Sequence, residues 1–343
     1  MTADRATGPG IWQAYRLRLK RRRLLWRSFR SRHQLKSMQN RTGAIAPGDI
    51  LLVMVVRNEA LRLPYFLDYY RRLGVAQFLV VDNDSTDDTA PLLAAQPDVS
   101  LWSTKASYRA ARFGLDWASW LLMRYGHGHW CLLLDADELL IYPHCDSRDL
   151  KALTGWLDRR RQPALGALML DLYPQGPVGE GAAAPGADPL ETLNWFDPGP
   201  YRALRQRPMQ NLWVQGGVRE RVFFPRRPRR SPTLNKLPLI RWNRRWAFVN
   251  SCHSILPPQL NLAYSGPGGI EPSGVLLHTK FLPDVTARAA EDQARQQHFN
   301  DPQSFSGYYD AIAEQPVLWS DKSLRYEGWR QLAGLGLMSS GGW

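Results

Sequence analysis

The chain has 343 residues, 44% of them hydrophobic, and a formal net charge of +13 at pH 7. It is long enough for one large domain or two small ones with a real core, and its charge predicts an anionic partner such as nucleic acid, a membrane surface or a phosphorylated substrate. We expect neither a membrane span nor a signal peptide, because no apolar run of about 18 residues and no apolar N-terminal core occurs.

Residues 1–44 form a basic arm that differs from the rest of the chain. Arginine and lysine are dense between Tyr15 and Arg32, and Trp12, Leu19 and Trp26 are among the apolar side chains interleaved with them. Such a segment can lie on an anionic bilayer as an amphipathic helix. A disordered, solvated arm and an RNA-binding arm are the alternatives that the sequence leaves open.

Residues 50–95 predict a parallel βαβ unit followed by the start of another helix. An apolar strand at 50–56 precedes a helical pattern at 61–73, a second strand at 78–81 and a helix from Thr89. This order indicates a right-handed parallel crossover. Polar clusters follow both strands, at 57–59 and at 82–89. Neither strand is followed by a Gly-rich loop, which disfavours a dinucleotide-binding fingerprint and a P-loop.

A short strand at 99–102 and a helix at 106–125 are predicted next, followed by an apolar run at 130–142 that Asp135, Asp137 and Glu138 interrupt. The run predicts a buried strand that ends in carboxylates. Buried carboxylates need water, a cation or hydrogen-bond donors. Because parallel strands end at one edge of a sheet, where ligands bind, we expect the three polar clusters to form one site. Two carboxylates one residue apart suit Mg²⁺ or Mn²⁺, which would hold phosphate oxygens; capping of the next turn is the alternative.

Four motifs occur in order: Val-Val-Arg-Asn-Glu at 55–59, Tyr-Tyr-Arg-Arg-Leu-Gly-Val at 69–75, Val-Asp-Asn-Asp-Ser-Thr-Asp at 81–87 and Asp-Ala-Asp-Glu at 135–138. Together they resemble glycosyltransferase family 2, over roughly residues 50–145. The resemblance implies a GT-A-like α/β fold, with a mostly parallel sheet flanked by helices. It also implies a nucleotide-sugar donor and a divalent metal, Mn²⁺ or Mg²⁺, at the Asp-x-Asp.

The resemblance also implies roles for individual residues. The donor would be bound by Val56, Arg57, Glu59, Asp82, Asn83, Asp84, Asp135 and Lys280, and the metal by Asp135, Asp137 and His278. Many relatives carry aspartate at the position of Asn83, so the identity of the donor's nucleotide base is less defined. The side-chain amide of Asn83 can still form hydrogen bonds with the edge of a uracil. Glu138 would support this arrangement rather than perform chemistry.

Beyond residue 145 the pattern predicts a helix at 150–161, a strand at 164–170 that ends at Asp171, and a Gly, Ala and Pro-rich loop at 174–190. Such a loop can order over a bound donor. Residues 225–245 are strongly basic and indicate a surface for an anionic acceptor, a membrane face or a solvated loop. A last strand at 274–281 carries His278 and Lys280, a helix with His298 follows at 284–300, and a frayed tail is expected at 339–343.

Sugar transfer with inversion needs a carboxylate that accepts the proton of the acceptor hydroxyl. Glu220, expected at a strand start after Gly216 and Gly217, is the first candidate, and Asp171 is the second. The flanking Arg219 and Arg221 would lower the pKa of Glu220 and weaken it as a base. An ion-paired structural role is the alternative for Glu220.

We therefore predict a basic arm at 1–44, a GT-A-like domain at 45–300 and an extension at 301–343. The domain would divide into a nucleotide-binding half at 45–145 and an acceptor half at 146–300. The protein would transfer sugar from a UDP-linked donor to a glycan or glycolipid, in polysaccharide or cell-envelope glycoconjugate synthesis at the inner face of a membrane. Three cysteines without metal-type spacing favour a reducing, cytoplasmic compartment.

Two other classes of protein stay open. A nucleotidyltransferase would also use a nucleotide-binding α/β sheet and a carboxylate pair with a metal, but the sequence lacks the Gly-rich loop expected after its first strand. A non-catalytic protein could use the basic arm to bind a membrane or RNA. Nucleic acid is the less favoured partner, because part of the positive charge is confined to the arm.

Overall fold

A computed structural model describes residues 10–295 and 306–343. Its helices are α1 (Ile11–Ser31), α2 (Leu63–Arg72), α3 (Thr89–Ala94), α4 (Leu115–Tyr125), α5 (Leu150–Arg159), α6 (Pro189–Thr192), α7 (Gly217–Phe223), α8 (Val285–Arg295), α9 (Ser306–Ala313) and α10 (Trp329–Gly334). Its strands are β1 (Lys36–Gln39), β2 (Ile50–Val56), β3 (Gln77–Asp82), β4 (Val99–Ser103), β5 (Trp130–Leu133), β6 (Glu138–Ile141), β7 (Ala164–Asp171), β8 (Trp195–Phe196), β9 (Tyr201–Arg205), β10 (Leu212–Gly216), β11 (Asn235–Arg241), β12 (Ala247–Phe248), β13 (Ile255–Leu256), β14 (Ser273–His278) and β15 (Leu324–Arg325).

Nine of these strands form a central sheet in the order β1-β4-β3-β2-β5-β11-β7-β14-β6. β2, β3, β4 and β5 are parallel to one another. β7 and β14 run in the same direction as these four, because the antiparallel β11 lies between β5 and β7. Only β1, β11 and β6 of this sheet run in the opposite direction. The predicted mostly parallel α/β sheet flanked by helices is thus confirmed.

The core consists of strands that are apolar on both faces and of helices that bury one face. Residues 50–54 in β2 are almost completely buried, as expected for a central parallel strand. In α2 the buried side chains are Leu63, Phe66, Leu67 and Tyr70, which recur at helical spacing. β2, α2 and β3 form the predicted parallel unit.

Two predicted elements differ from the structure. The helix predicted from residue 106 begins only at Leu115, because Arg112, Phe113 and Gly114 have positive φ and form a turn. Residues 217–223 form α7 rather than the start of a strand. The close backbone approach expected before α7 is confirmed, since a Cβ on Gly216 would lie 2.1 Å from the carbonyl oxygen of Pro200.

Two segments expected at the surface are built into the fold. The basic stretch 225–245 includes β11, whose first six residues are buried. The tail is packed rather than frayed. The centre of the Trp343 ring lies 6.0 Å from the centre of the Tyr142 ring and 6.1 Å from the centre of the Trp156 ring. The helix predicted at 284–300 is confirmed up to Arg295; its remainder, with His298, lies outside the described residues, as do residues 1–9 of the arm.

The basic arm contains a helix, α1, that packs against α4. Arg27 donates from Nη2 to Asp116 Oδ2 at 3.0 Å, and the Ser31 hydroxyl donates to the Asp116 carbonyl oxygen at 3.1 Å. Leu17 and Leu24 are buried in a separate apolar cluster with Ala247 of β12 and Leu256 of β13. In the described part of the chain no helix is long and apolar enough to cross a membrane. The predicted domain boundaries stay predictions.

Candidate metal and nucleotide site

The carboxyl ends of the parallel strands meet at one edge of the sheet. Val56, the last residue of β2, is the register partner of Asp82 in β3. Farther along the edge, His278 at the end of β14 is the partner of Asp171 in β7 and of Glu138 in β6. Residues 134–137 connect β5 to β6 at the same edge. The predicted convergence of polar clusters is therefore confirmed for these strand ends.

A network of hydrogen-bonded side chains, buried except for the partly exposed Asp137, lies at the end of β14. The Nε2 atom of His278 is 3.2 Å from Asp137 Oδ2, and its Nδ1 atom is 2.6 Å from Asp171 Oδ1. The other oxygen of Asp171 accepts from Arg219 Nε at 2.7 Å. Because Asp171 binds Nδ1, it orients the ring so that Nε2 faces Asp137.

The negative charges of Asp137 and Asp171 favour a positive charge on the group that lies between them. Burial opposes protonation of His278, but the two carboxylates raise its pKa to about 9. Burial also opposes ionisation of Asp137, yet His278, with Arg62 and Arg288, holds the pKa of that carboxyl well below its usual range. An imidazolium therefore bridges the two aspartates, and a metal ion bound at Nε2 would replace its proton.

The residues present fit a divalent cation. One ligand atom each from Asp137, Glu138 and His278 lies within 4.8 Å of the others. Carboxylates and an imidazole suit Mn²⁺, whereas Mg²⁺ is held mostly by oxygen ligands. Asp171 provides the carboxylate that metal-binding histidines commonly contact through their second ring nitrogen. This donor set fits Mn²⁺ better than Mg²⁺.

Asp135, a predicted metal ligand, pairs with a lysine. Lys236 Nζ, on β11, lies 3.0 Å from Asp135 Oδ2 and also binds Glu138. Burial opposes the charge of Lys236, but the two carboxylates raise its pKa well above the usual range. Burial raises the pKa of Glu138 to about 7, and Lys236 limits that rise. Glu138 is thus held in place by Lys236, and its supporting role in the site stays a prediction.

Lys236 is the main site residue that sequence reasoning missed. It follows a run of arginines and was therefore grouped with a basic surface. Its apolar neighbours Leu234, Leu237 and Leu239 were the available signal, because they indicate that the lysine lies on a buried strand. Since β11 is antiparallel to β5 and β7, its first residues lie at the carboxyl edge of those strands.

The polar residues after β3 are bonded largely within the protein. Asp82, predicted to contact the nucleoside, accepts hydrogen bonds from the amide and hydroxyl of Ser85 and so caps the turn. The Asn83 side chain donates to the carbonyl oxygens of Thr104 at 3.0 Å and Ala106 at 3.1 Å. A uracil contact through this amide would have to replace those bonds. The carbonyl oxygen of Val56, also a predicted donor contact, accepts the Asn83 N–H at 2.8 Å.

Among the predicted nucleoside-binding residues, Asp84 and Arg57 lie in a more exposed charged group. Asp84 is half exposed, and its carboxylate is 3.5 Å from Lys105 Nζ and 4.0 Å from Arg57 Nη1. Arg57 also donates to the carbonyl oxygen of Asn83 at 2.8 Å. These contacts leave both charges near the surface at the ends of β2 and β3, where a ligand can reach them.

Ion pairs tie α8 and the residue before it to the segment after β2. Arg57 Nε donates to Glu291 at 2.9 Å, and the two guanidinium nitrogens of Arg62 donate to Asp284 at 2.6 and 2.7 Å. Arg288 binds the buried Glu59, whose pKa is raised by burial against the opposing effect of the arginine. Glu59, predicted to bind the donor, therefore forms an ion pair that holds α8 against the segment after β2. Sequence reasoning could not show this, because the two partners are 229 residues apart.

The predicted Lys280 and Glu220 lie in different surroundings. Lys280 Nζ is 5.3 Å from the centre of the Tyr308 ring. Both carboxylate oxygens of Glu220 accept from Arg202 at 2.6 Å. Arg219 and Arg221, which were expected to flank Glu220 electrostatically, instead pair with Asp171 and Asp197. The carboxylate of Glu220 is thus separate from the ion pairs around His278.

The second candidate for the general base, Asp171, is paired with both Arg219 and His278. Burial would raise its pKa, but Arg219 and His278 lower the pKa below the usual aspartate value. A carboxylate with a lowered pKa is a weak base. These contacts suit Asp171 to orienting His278.

A cavity of about 230 Å³ opens beside the turn between β5 and β6. Ala136 and Leu139 border it on the sheet side, Arg62 and Tyr65 border it from α2, and residues 182–192 contribute the opposite wall. The Ala-rich loop predicted to order over a donor therefore lines a cavity next to the acidic turn. The small side chains of this loop leave room for a ligand.

Comparisons with known proteins do not identify the chain. No family model and no curated protein matches it. Among solved structures, a 4-diphosphocytidyl-2C-methyl-D-erythritol synthase is 17% identical, with a TM-score of 0.24, over 41% of this chain and 68% of that chain. A Bacillus anthracis protein in complex with sucrose, assigned as a glucose-1-phosphate thymidylyltransferase, is 9% identical, with a TM-score of 0.29, over 84% of this chain and 95% of that chain. TM-scores this low carry no argument, and the resemblance to glycosyltransferase family 2 stays a prediction.

Proposed function

We propose that the protein is a metal-dependent glycosyltransferase that moves a sugar from a UDP-linked donor to a hydroxyl of a glycan or glycolipid. The observation that carries the proposal is the cluster of Asp137, Glu138 and His278 at the carboxyl edge of a mostly parallel sheet. Ligands bind at such edges. A cation held there would supply charge neutralisation of the diphosphate leaving group.

In this proposal five residues of the chain prepare the metal site. Asp137 and His278 would hold the cation, and Glu138 lies within reach as a further carboxylate. Asp171 is a positioning residue that keeps Nε2 of His278 directed at Asp137, and Arg219 keeps Asp171 ionised. The role of general base, predicted for Glu220 or Asp171, stays a prediction.

The nucleoside would lie against the ends of β2 and β3. Arg57, which is partly buried, and the more exposed Asp84 are charged groups there, and Asp135, which is 57% exposed at its side chain, lies next along the edge. Lys280 follows the strand that carries His278 and would meet the diphosphate. The cavity beside Ala136 would then take the transferred sugar or the acceptor.

The first test is binding of nucleoside diphosphates measured by thermal shift, with and without Mn²⁺. We compare the wild type with Asp137→Asn, and use Asp321→Asn, at an exposed position, as the matched control. We expect UDP with Mn²⁺ to raise the melting temperature of the wild type and of the control but not of Asp137→Asn. The absence of any nucleotide-dependent shift in the wild type would refute the proposed site.

A second test separates the proposal from the nucleotidyltransferase alternative. Release of UDP from a panel of UDP-sugars, dependent on Mn²⁺ and lost in Asp137→Asn, is expected of a glycosyltransferase. Formation of pyrophosphate from a nucleoside triphosphate and a sugar 1-phosphate, without turnover of any UDP-sugar, would instead establish a nucleotidyltransferase. Binding of UDP in the first test is compatible with both, so turnover decides between them.

A further inference from the structure

Helix α1 has one face that is buried in the fold and an opposite face with exposed apolar side chains. The inner face contains Leu17, Leu24, Ser28 and Ser31, which are buried. The outer face contains Ile11, Trp12, Tyr15, Leu19 and Trp26, which are between 44% and 88% exposed. At about 100° per residue, the centres of the two faces are about 170° apart around the helix.

Polar contacts with α4 hold α1 against the rest of the protein. The carboxylate of Asp116, on α4, is buried and accepts from Arg27 Nη2 at 3.0 Å and from Arg112 Nε at 2.8 Å. Trp117 Nε1 donates to Gln34, just after the helix, at 2.7 Å. None of these contacts requires tryptophan, tyrosine or leucine on the outer face.

The outer face brings five exposed apolar side chains together on one helix, unlike the rest of the described residues. Outside it, the large hydrophobic side chains that are exposed in the described residues are scattered over the chain, namely Met38, Leu204, Leu262, Ile270, Val317 and Leu335. Isolated exposed apolar residues are normal, whereas a contiguous patch marks an interaction surface. Two tryptophans and a tyrosine are the side chains that favour a membrane–water interface.

The charge of the helix complements an anionic surface. α1 contains eight arginines and lysines, namely Arg16, Arg18, Lys20, Arg21, Arg22, Arg23, Arg27 and Arg30, and no aspartate or glutamate. On the helical wheel, Arg16 and Arg23 lie on one side of the outer face and Arg18 lies on the other, while Arg22 and Arg30 lie within it. The first part of the face, from Ile11 to Leu19, carries apolar side chains with basic residues on both sides, which is the pattern of a helix that lies in the plane of an anionic bilayer.

We propose that the outer face of α1 docks the protein on an anionic lipid bilayer, with Trp12, Tyr15 and Leu19 inserted at the headgroup boundary. The aliphatic side chains favour lipid over RNA, since phosphate binding needs basic residues but no exposed leucine or isoleucine. Because α1 also packs on α4 through Asp116, docking would hold the folded enzyme directly at the membrane surface. This proposal is independent of the reaction proposed above.

The test is co-sedimentation of the full chain with vesicles of phosphatidylcholine alone or mixed with phosphatidylglycerol, at low and high salt. The variant replaces three outer-face residues together: Trp12→Ser, Tyr15→Ser and Leu19→Ser. The matched control replaces two exposed apolar residues elsewhere, Leu204→Ser and Ile270→Ser. All these side chains are exposed, so both variants are expected to melt within a few degrees of the wild type.

We expect the wild type and the control to bind the anionic vesicles, with binding weakened by salt. The triple variant should lose roughly tenfold or more in its partition coefficient, since three inserted side chains are lost. Equal binding of the triple variant and the wild type would overturn the proposal. So would equal binding to both kinds of vesicle, or binding of RNA by wild type and triple variant alike without vesicle binding.

Discussion

Replacing Lys236 with methionine should destabilise the protein severely, because it removes the cation that compensates a buried carboxylate. The Lys236 side chain is 4% exposed and that of Glu138 is 1% exposed, so this pair is shielded from water. Methionine has a length similar to that of the lysine stem and leaves little cavity. The expected cost therefore comes from Glu138, whose carboxylate must either stay charged without a partner or take up a proton at a pH above its normal pKa.

The magnitude follows from the contacts of the pair. Removing one partner of a buried ion pair costs about 3–5 kcal/mol. Removing the other partner, with Glu138→Leu, should cost less, because Lys236 keeps Asp135 at 3.0 Å as a partially solvated counterion. The double variant Lys236→Met with Glu138→Leu carries no unpaired buried charge. It should lie within about 2 kcal/mol of the wild type, since it chiefly loses the 3.3 Å hydrogen bond from the Asp135 amide.

The assay is urea unfolding at neutral pH, followed by circular dichroism, for the wild type, both single variants and the double variant. The four free energies form a double-mutant cycle. We expect the double variant to be at least 1 kcal/mol more stable than Lys236→Met, although it carries one more substitution. A loss below about 1 kcal/mol in Lys236→Met, or a double variant less stable than that single variant, would refute the reasoning.

Three further predictions concern the metal site, the cavity and the chain end. Asp171→Asn should weaken Mn²⁺ binding in titration calorimetry about 10 to 100-fold, because the ring of His278 is no longer oriented by a charged acceptor; unchanged affinity would contradict the positioning role. Ala183→Phe should reduce turnover of the sugar donor by filling the cavity beside Ala136, with a melting temperature close to that of the wild type; full activity would show that the ligand lies elsewhere. Trp343→Ala should cost about 1–3 kcal/mol in urea unfolding because the ring packs on Tyr142 and Trp156, whereas the exposed Leu335→Ala serves as a near-neutral control.

Local patterns in the sequence were sufficient for the first half of the sheet. Apolar runs bounded by turn residues predicted β2, β3 and β5, and helical spacing predicted α2 between the first two. Because parallel strands place their carboxyl ends at one edge, the convergence of Val56, Asp82 and the Asp135–Asp137 turn followed from the order of the elements. The resemblance to glycosyltransferase family 2 implied a shared metal role for Asp137 and His278, and only the tertiary structure shows that the two side chains are close together.

Tertiary structure decided which charges meet. Lys236 follows a run of arginines in the sequence, and only the antiparallel insertion of β11 between β5 and β7 brings it to Asp135 and Glu138. Likewise Glu59 meets Arg288 from a helix far along the chain. An ion pair depends on the positions of two side chains in space, and a sequence motif describes only one of them.

The sequence by itself therefore determined the sheet edge, the carboxylates that end its strands, and the basic, apolar character of the first helix. The tertiary structure decided that Asp137 and Glu138 meet His278, that Lys236 pairs with Asp135, and that one face of α1 is buried while the other stays exposed. The physical reason is that hydrophobic periodicity and turn chemistry act over a few residues. Long-range packing selects the partners of each buried charge.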